Sequence, residues 1–192
     1  PTEAAATGAL GAFLLGFAYG RMKREVIAKS VNGTVRVTVM IFMIIIVSST
    51  YSEILAFTGA ASGLVNFVTS LSVPPMAILI CMMLTILVLG CFMETVAIMM
   101  ITVPVFFPII HAFHYDPIWF GVLMLINLET GLLTPPFGVT LFVMKGVAPP
   151  GVTMSDIWKA VTPYVAIDIL CLAITMLLPA TALYLPNLMG MK

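Results

Sequence analysis

From Glu129 to Thr140 the chain reads Glu-Thr-Gly-Leu-Leu-Thr-Pro-Pro-Phe-Gly-Val-Thr, and this stretch interrupts an apolar segment that runs from Pro117 to Met144. Two consecutive prolines remove two backbone donors from a helix and clash with its preceding turn. In hydrocarbon such a break leaves peptide groups unpaired at several kcal/mol each, so it must be buried in protein or line a water-filled site. The stretch therefore predicts a broken helix whose free backbone groups hold an ion or a substrate, as in transporters. A plain proline kink in a structural helix is the alternative.

The composition identifies the class of protein. Of 192 residues, 61% are hydrophobic and only 8% are charged, and the mean hydropathy is +1.18. Soluble domains carry about 25% charged residues, so the chain is predicted to be an all-α integral membrane protein. The formal net charge is zero, and nothing in the sequence suggests a nucleic-acid partner.

The first 75 residues are predicted to contain two scaffold spans, residues 3–20 and 37–58. Between them, residues 21–36 hold five of the eight basic residues, which places this connection in the cytoplasm, either as a short amphipathic arm or as a simple loop. Residues 59–75 carry no Lys or Arg and are predicted to be an external connection. Near the end of the second span, the hydroxyl run 48–52 can line a polar path or bond back to its own helix. The start at Pro1 leads us to expect a piece of a longer chain.

Residues 76–110 are apolar except for Glu94, which follows Gly90 closely. The flanks are long enough for two minimal spans or for the two arms of a re-entrant hairpin. Two full spans would need a cytoplasmic turn, for which there is almost no loop and no basic residue. We therefore favour a hairpin over residues 76–111, with Gly90, Glu94 and Thr95 at a tip deep in the protein.

The remainder is predicted to contain the broken helix, residues 117–146, and one more span. Glu129 lies just before the break, and a buried acid must be paired, protonated or near an ion. Residues 147–160 are predicted to form a cytoplasmic connection, with a short interfacial helix starting at Ser155-Asp156. Residues 161–185 are predicted to be the last span.

These stretches also resemble a known family, the large membrane subunit of tripartite ATP-independent periplasmic (TRAP) transporters. The similar motifs cover nearly the whole chain in order: Pro1-Thr2-Glu3-Ala4-Ala5-Ala6; Gly90-Cys91-Phe92-Met93-Glu94 with Pro104 and Pro108; Asp116-Pro117 with Phe120-Gly121; Asn127-Leu128-Glu129-Thr130-Gly131-Leu132-Leu133-Thr134-Pro135-Pro136-Phe137-Gly138; and Pro179 with Leu185-Pro186. The resemblance corresponds to the second of the family's two inverted repeats, the carboxyl-terminal half.

The resemblance implies an elevator-type half of an ion-transporter-superfamily fold, working as a permease in the bacterial or archaeal inner membrane. It implies sodium-driven import of organic acids, such as C4-dicarboxylates, keto acids or sialic acid. The implied partners are the amino-terminal half of the same subunit, a small membrane subunit and a periplasmic binding protein. No cofactor is implied other than the coupling sodium ion.

The resemblance also assigns site residues, because the family holds sodium between a hairpin tip and the Pro-Pro loop, largely on backbone carbonyls. The implied sodium-site residues are Gly90, Thr95, Gly131, Thr134 and Pro136. We add four residues as candidates for the substrate or transport path: Glu94, Glu129, Gly138 and Thr140. Hard cations take oxygen ligands, which a loop of this kind supplies.

The functional division that follows has three parts: scaffold helices with a basic arm (1–75), a transport-domain part (76–146), and a cytoplasmic connection with the last span (147–192). The alternative function is a citrate or divalent-anion sodium symporter that works without a binding protein. We do not expect an enzyme, because the only histidines, His111 and His114, lie together at a predicted rim and no nucleophile–base set is evident.

Overall fold

A computed structural model describes residues 2–134, 138–149 and 151–190, without the side chain of Val139. All regular secondary structure in these ranges is α-helical. The helices are α1 (Thr2–Ala18), α2 (Arg24–Thr58), α3 (Ala60–Ser70), α4 (Pro75–Gly90), α5 (Thr95–Ala112), α6 (Pro117–Leu133), α7 (Val139–Val147), α8 (Met154–Leu177) and α9 (Ala180–Leu188). They fall into two compact units, residues 1–46 and residues 47–192.

The first unit contains α1 and the first part of α2, and it has no interior of its own. No residue of either helix is buried, and large apolar side chains such as Phe17 are exposed. Of the two alternatives for residues 21–36, the simple loop is wrong, because α2 begins at Arg24 and continues without a break. The cytoplasmic, interfacial position of this basic stretch stays a prediction. Lys, Arg and Glu are good helix formers, and no proline occurs between Arg24 and Thr58.

The core of the second unit is formed mainly by α4, α5 and α6. Its fully enclosed side chains include Leu79, Ile86, Ile98, Phe120 and Leu123. Around this core, α3 packs on α5, while α8 and α9 pack on α6. The two arms predicted for residues 76–111 are present as α4 and α5, which contact each other across a four-residue turn. That this pair enters and leaves the membrane on the same side stays a prediction.

Two connections contain more helix than predicted. The external connection 59–75 contains α3, whose apolar residues Leu64, Val65 and Val68 are partly buried against the core. A helix does begin within one residue of the predicted start at Ser155, but it is not a short separate one, because α8 begins at Met154 and runs to Leu177. Thr153 caps it: its side chain and the Asp156 carboxylate satisfy each other's backbone N–H groups in a capping box.

The last predicted span, residues 161–185, is also divided differently. Helix α8 ends at Leu177, and the nine-residue α9 begins after Pro179. Proline at this position cannot donate the hydrogen bond that would continue α8. The predicted spans therefore differ from the helices mainly at their ends.

Within the described parts of the chain, three helices are long and apolar enough to cross a membrane: α2, α5 and α8. Helices α1, α4 and α6 are apolar but have 16 or 17 residues, fewer than the approximately 20 that a straight span needs. Many large apolar side chains of the described residues face outward. This surface is that of a membrane protein.

Candidate functional site

The tip of the α4–α5 pair is a tight turn closed by backbone hydrogen bonds. The N–H groups of Phe92 and Met93 both donate to the carbonyl of Leu89. Glu94 is exposed, and its carboxylate caps α5 by accepting hydrogen bonds from Val96 N at 2.9 Å and from Ala97 N at 3.4 Å. A carboxylate at this place also complements the positive end of the helix dipole.

Thr95 is the first residue of α5 and is half-buried. Its hydroxyl makes no hydrogen bond with any residue that the structure describes, and it is free to act as an oxygen ligand. Glu94 therefore serves as the cap of α5, and the role of Thr95 in an ion site stays a prediction.

The break that was predicted in the apolar segment from Pro117 to Met144 is confirmed. Helix α6 ends at Leu133, and α7 begins only at Val139. The last turn of α6 tightens, since Thr134 N donates to Gly131 O at 3.1 Å. The carbonyl of Thr130 thereby loses its usual donor, and the Thr134 hydroxyl replaces it at 2.7 Å. Pro135, Pro136 and Phe137 lie outside the described residues. The assignment of Pro136 to the sodium site therefore stays a prediction.

Gly138 begins α7 from a left-handed backbone conformation, with φ of 37°. It is buried, and a Cβ atom at this position would lie 2.9 Å from Leu141 Cδ1 and 3.2 Å from the carbonyl oxygen of Leu132. Both the φ angle and the lack of space require glycine at this turn. Gly138 therefore forms the backbone turn that leads into α7.

Gly90 and Gly131 bring the tip and the break together. A Cβ built on Gly131 would lie 2.8 Å from Gly90 Cα, and a Cβ built on Gly90 would lie 2.9 Å from Gly131 Cα. Thus the backbones of α4 and α6 touch directly, as small residues allow at membrane helix crossings. The Cβ built on Gly131 would also lie 3.4 Å from Leu87 O, so this side of Gly131 faces the backbone of α4.

Asn127, one helical turn before Gly131, makes a contact that was not predicted from the sequence. Its amide nitrogen donates to Met83 O of α4 at 2.6 Å, and its side chain is 1% exposed. The signal was the spacing: residues i and i+4 share one face of a helix. A buried amide four residues before the crossing glycine marks the face of α6 that packs on α4.

The other acidic candidate, Glu129, is not buried as expected. Leu128 and Thr130 on either side of it are buried, whereas Glu129 is exposed. Its side chain lies on the outer stripe of α6 with Leu125, which is 56% exposed. Thr140 is also exposed, so both of these path candidates lie on the surface of this chain.

The chemistry available at the contact is mainly that of backbone oxygens. The carbonyl groups of Gly90 and Cys91 accept no hydrogen bond from the described residues, and neither do those of Leu132 and Leu133. Within the same residues, no three His, Cys, Asp or Glu side chains cluster in a way that could hold a metal ion. The arrangement suits a small hard cation held by oxygen atoms.

Comparison with known proteins gives a consistent result. Residues 1–181 match the sequence model of the family described as "Tripartite ATP-independent periplasmic transporter, DctM component". The chain is 35% identical to the C4-dicarboxylate TRAP transporter large permease protein of Pseudomonas aeruginosa, over 100% of this chain and 45% of that protein. It is 30% identical to the sialic acid TRAP transporter large permease protein of Vibrio cholerae, over 98% of this chain and 44% of that protein.

A third relative is the ectoine TRAP transporter large permease protein of Halomonas elongata, at 30% identity over 98% of this chain and 44% of that protein. No solved structure matches the chain. The chain spans about 45% of the length of these relatives. On the extent of these matches, the chain belongs to the DctM family of TRAP transporter large permeases.

Proposed function

We propose that this chain is the carboxyl-terminal half of the membrane permease of a sodium-coupled secondary transporter that imports organic acids. The relatives are named for C4-dicarboxylate, sialic acid, ectoine and isethionate transport, and we transfer to this chain the class of organic acid rather than one compound. The transporter works in the inner membrane with the amino-terminal half of the subunit, a small membrane subunit and a periplasmic binding protein.

The observation that carries the proposal is the direct contact of Gly90 with Gly131. It joins two helix ends, and each end offers carbonyl groups without donors among the described residues. Discontinuous helices in transporters coordinate their coupling ions with such groups. A contact this close leaves no room for an ion between the two Cα atoms, so the cation lies beside the glycine crossing.

In this proposal the sodium site consists of Gly90, Thr95, Gly131, Thr134 and Pro136. The glycines let the two ends approach, and the threonines add hydroxyl oxygens to the carbonyls. The path for the substrate passes Glu94, Glu129, Gly138 and Thr140. The α4–α5 pair acts as a re-entrant hairpin, and it moves together with the broken helix in an elevator motion.

The threonine ligands provide the test, in the full-length permease reconstituted with its partners in proteoliposomes. Valine has nearly the shape of threonine without the hydroxyl, so Thr95→Val and Thr134→Val remove one oxygen each. A hydrogen bond to a charged group contributes roughly 1.5–3 kcal/mol. With the same magnitude for a hydroxyl oxygen that contacts a sodium ion, the sodium concentration for half-maximal uptake should rise about tenfold or more.

Thr85→Val is the matched control, because Thr85 is exposed on α4 and its hydroxyl donates to Cys81 O of its own helix. This variant should leave sodium activation unchanged. Uptake by the wild-type permease that does not depend on sodium would refute the coupling. If Thr95→Val and Thr134→Val show the same sodium activation as Thr85→Val and wild type, the proposed sodium site is refuted.

The substrate is best identified through the binding protein that delivers it. Thermal unfolding of the cognate binding protein is measured in the presence of single organic acids, since a ligand at 100 times its Kd stabilises a protein by about 2.7 kcal/mol. An organic acid that raises the unfolding temperature should also be taken up by the reconstituted transporter. Stabilisation only by sugars or cations would contradict the substrate class.

A further inference from the structure

Pro104 interrupts the backbone hydrogen bonds in the middle of α5. Proline carries no N–H group, so the carbonyl of Met100, four residues earlier, lacks its helical donor. An unpaired carbonyl within an apolar helix is unfavourable in a membrane, where no water replaces the lost hydrogen bond. This carbonyl therefore needs a donor from outside α5.

The donor is the hydroxyl of Ser48, which lies on α2. Ser48 Oγ donates to Met100 O at 2.6 Å, and the two residues are separated by 52 positions in the chain. Several other hydroxyls in the described helices bond back to their own helix one turn earlier, such as Thr58 to Ile54 O and Thr69 to Val65 O. Ser48 instead crosses to the carbonyl that the proline has released.

A second proline shows the same arrangement elsewhere in the unit. Pro179 follows α8 and cannot donate to the carbonyl of Thr175. The indole N–H of Trp119 on α6 donates to that carbonyl at 2.7 Å, and Trp119 is 3% exposed. In both cases a donor from a helix remote in sequence satisfies a carbonyl that a proline has freed.

We propose that Ser48 is a positioning residue that fixes α5, through the Met100 carbonyl, on residues 47–58, the part of α2 that belongs to the same compact unit. Met100 lies five residues beyond Thr95, so the bond sets where α5 begins relative to this part of α2. Thr95 and the tip of the α4–α5 pair are placed by this bond for the ion site. The inference rests on the proposed function only for its effect on sodium activation, because the bond itself can be tested without transport.

The test uses the released carbonyl directly. Pro104→Ala restores a backbone N–H that can donate to Met100 O within α5, so Ser48 becomes dispensable. Four variants of the full-length permease are compared with wild type: Ser48→Ala, Ser48→Thr, Pro104→Ala, and Ser48→Ala combined with Pro104→Ala. Ser52→Ala is the control, because Ser52 lies one turn further on the same half-buried face of α2 and its hydroxyl makes no hydrogen bond with the described residues.

Thermal unfolding in detergent and sodium-dependent uptake are measured for each protein. Ser48→Ala should lower the unfolding temperature and should raise the sodium concentration for half-maximal uptake about fivefold, the factor that one net hydrogen bond supplies. Ser48→Thr retains the hydroxyl and should stay close to wild type. In the Pro104→Ala background, the effect of Ser48→Ala should fall below about twofold.

Two results would overturn the inference. Equal effects of Ser48→Ala with and without Pro104 would show that the hydroxyl does not serve the released carbonyl. A lower unfolding temperature with unchanged sodium activation would show that Ser48 is structural only. Wild-type uptake that is independent of sodium refutes the proposed function instead, and the unfolding measurements still decide whether the bond exists.

Discussion

Replacement of Gly131 by alanine adds one methyl group at the point where α4 and α6 cross. The new Cβ would lie 2.8 Å from Gly90 Cα, 3.2 Å from Gly90 C and 3.4 Å from Leu87 O. All three atoms belong to the backbone, so no side-chain rotation can relieve the contact. The two helices must move apart at this point.

The magnitude follows from the distance. Ordinary contact begins at 3.4 Å, compared with 2.8 Å at this position, so the backbones must separate by at least about 0.6 Å, and overpacking of this kind costs about 1–3 kcal/mol. Alanine is also the better helix former, by about 1 kcal/mol in a helix interior. We therefore expect Gly131→Ala to be destabilising by about 0–2 kcal/mol relative to wild type.

Gly121→Ala, on the same helix, separates the two contributions. Nothing lies within 4 Å of a Cβ built on Gly121, so this variant should show only the helix preference and should be as stable as wild type or more stable. The free energy of unfolding of Gly131→Ala should thus fall below that of Gly121→Ala by about 1–3 kcal/mol.

The assay is denaturant or thermal unfolding of the purified full-length permease, together with sodium-dependent uptake in proteoliposomes. Only Gly131→Ala should weaken sodium activation, because it separates the tip from the break. If both alanine variants have the same stability and the same sodium activation, the direct contact of the two helices does not exist and the reasoning fails.

Two further predictions concern the neighbours of this crossing. Asn127→Ala removes the donor to Met83 O and should lower the free energy of unfolding by about 1–3 kcal/mol; Leu125→Ala, at an exposed position of the same helix, should have a clearly smaller effect in the same unfolding experiment. Glu94→Ala removes the cap of α5 and should cost about 0.5–2 kcal/mol, whereas Glu94→Asp should retain part of it; unfolding temperatures that do not distinguish the two variants would argue against the cap.

The elements nearest to the proposed site could be predicted because strong local signals mark them. Two prolines in sequence cannot continue a helix, whatever the surroundings, and the break follows directly. The bounds of α4 and α5 agree closely with the predicted hairpin, because the sequence from Gly90 to Glu94 is too short for anything but a tight turn. Gly90 and Gly131 were selected through the resemblance, and their contact in space could not be derived from spacing along the chain.

Other features depend on contacts between helices, which the order of residues along the chain does not show. Helix α3 lies in a stretch without basic residues, and the absence of positive charge led to the prediction of an external connection. The partly buried Leu64 and Val68 show that this stretch contains a helix that packs on the core. Glu129 was expected to be buried because it lies in an apolar segment, but burial depends on which side of α6 faces α4. The position of Asn127 on that side would have placed Glu129 on the opposite one.

The crossing of Gly90 over Gly131 also restricts how the two positions can vary. At most packed contacts, an enlarged residue on one helix can be offset by a smaller residue on the other. Here each partner is already the smallest amino acid, so a change on either side has no compensating change opposite it. A genetic search for second-site suppressors of Gly131→Ala should therefore find substitutions that shift a whole helix, and none at position 90.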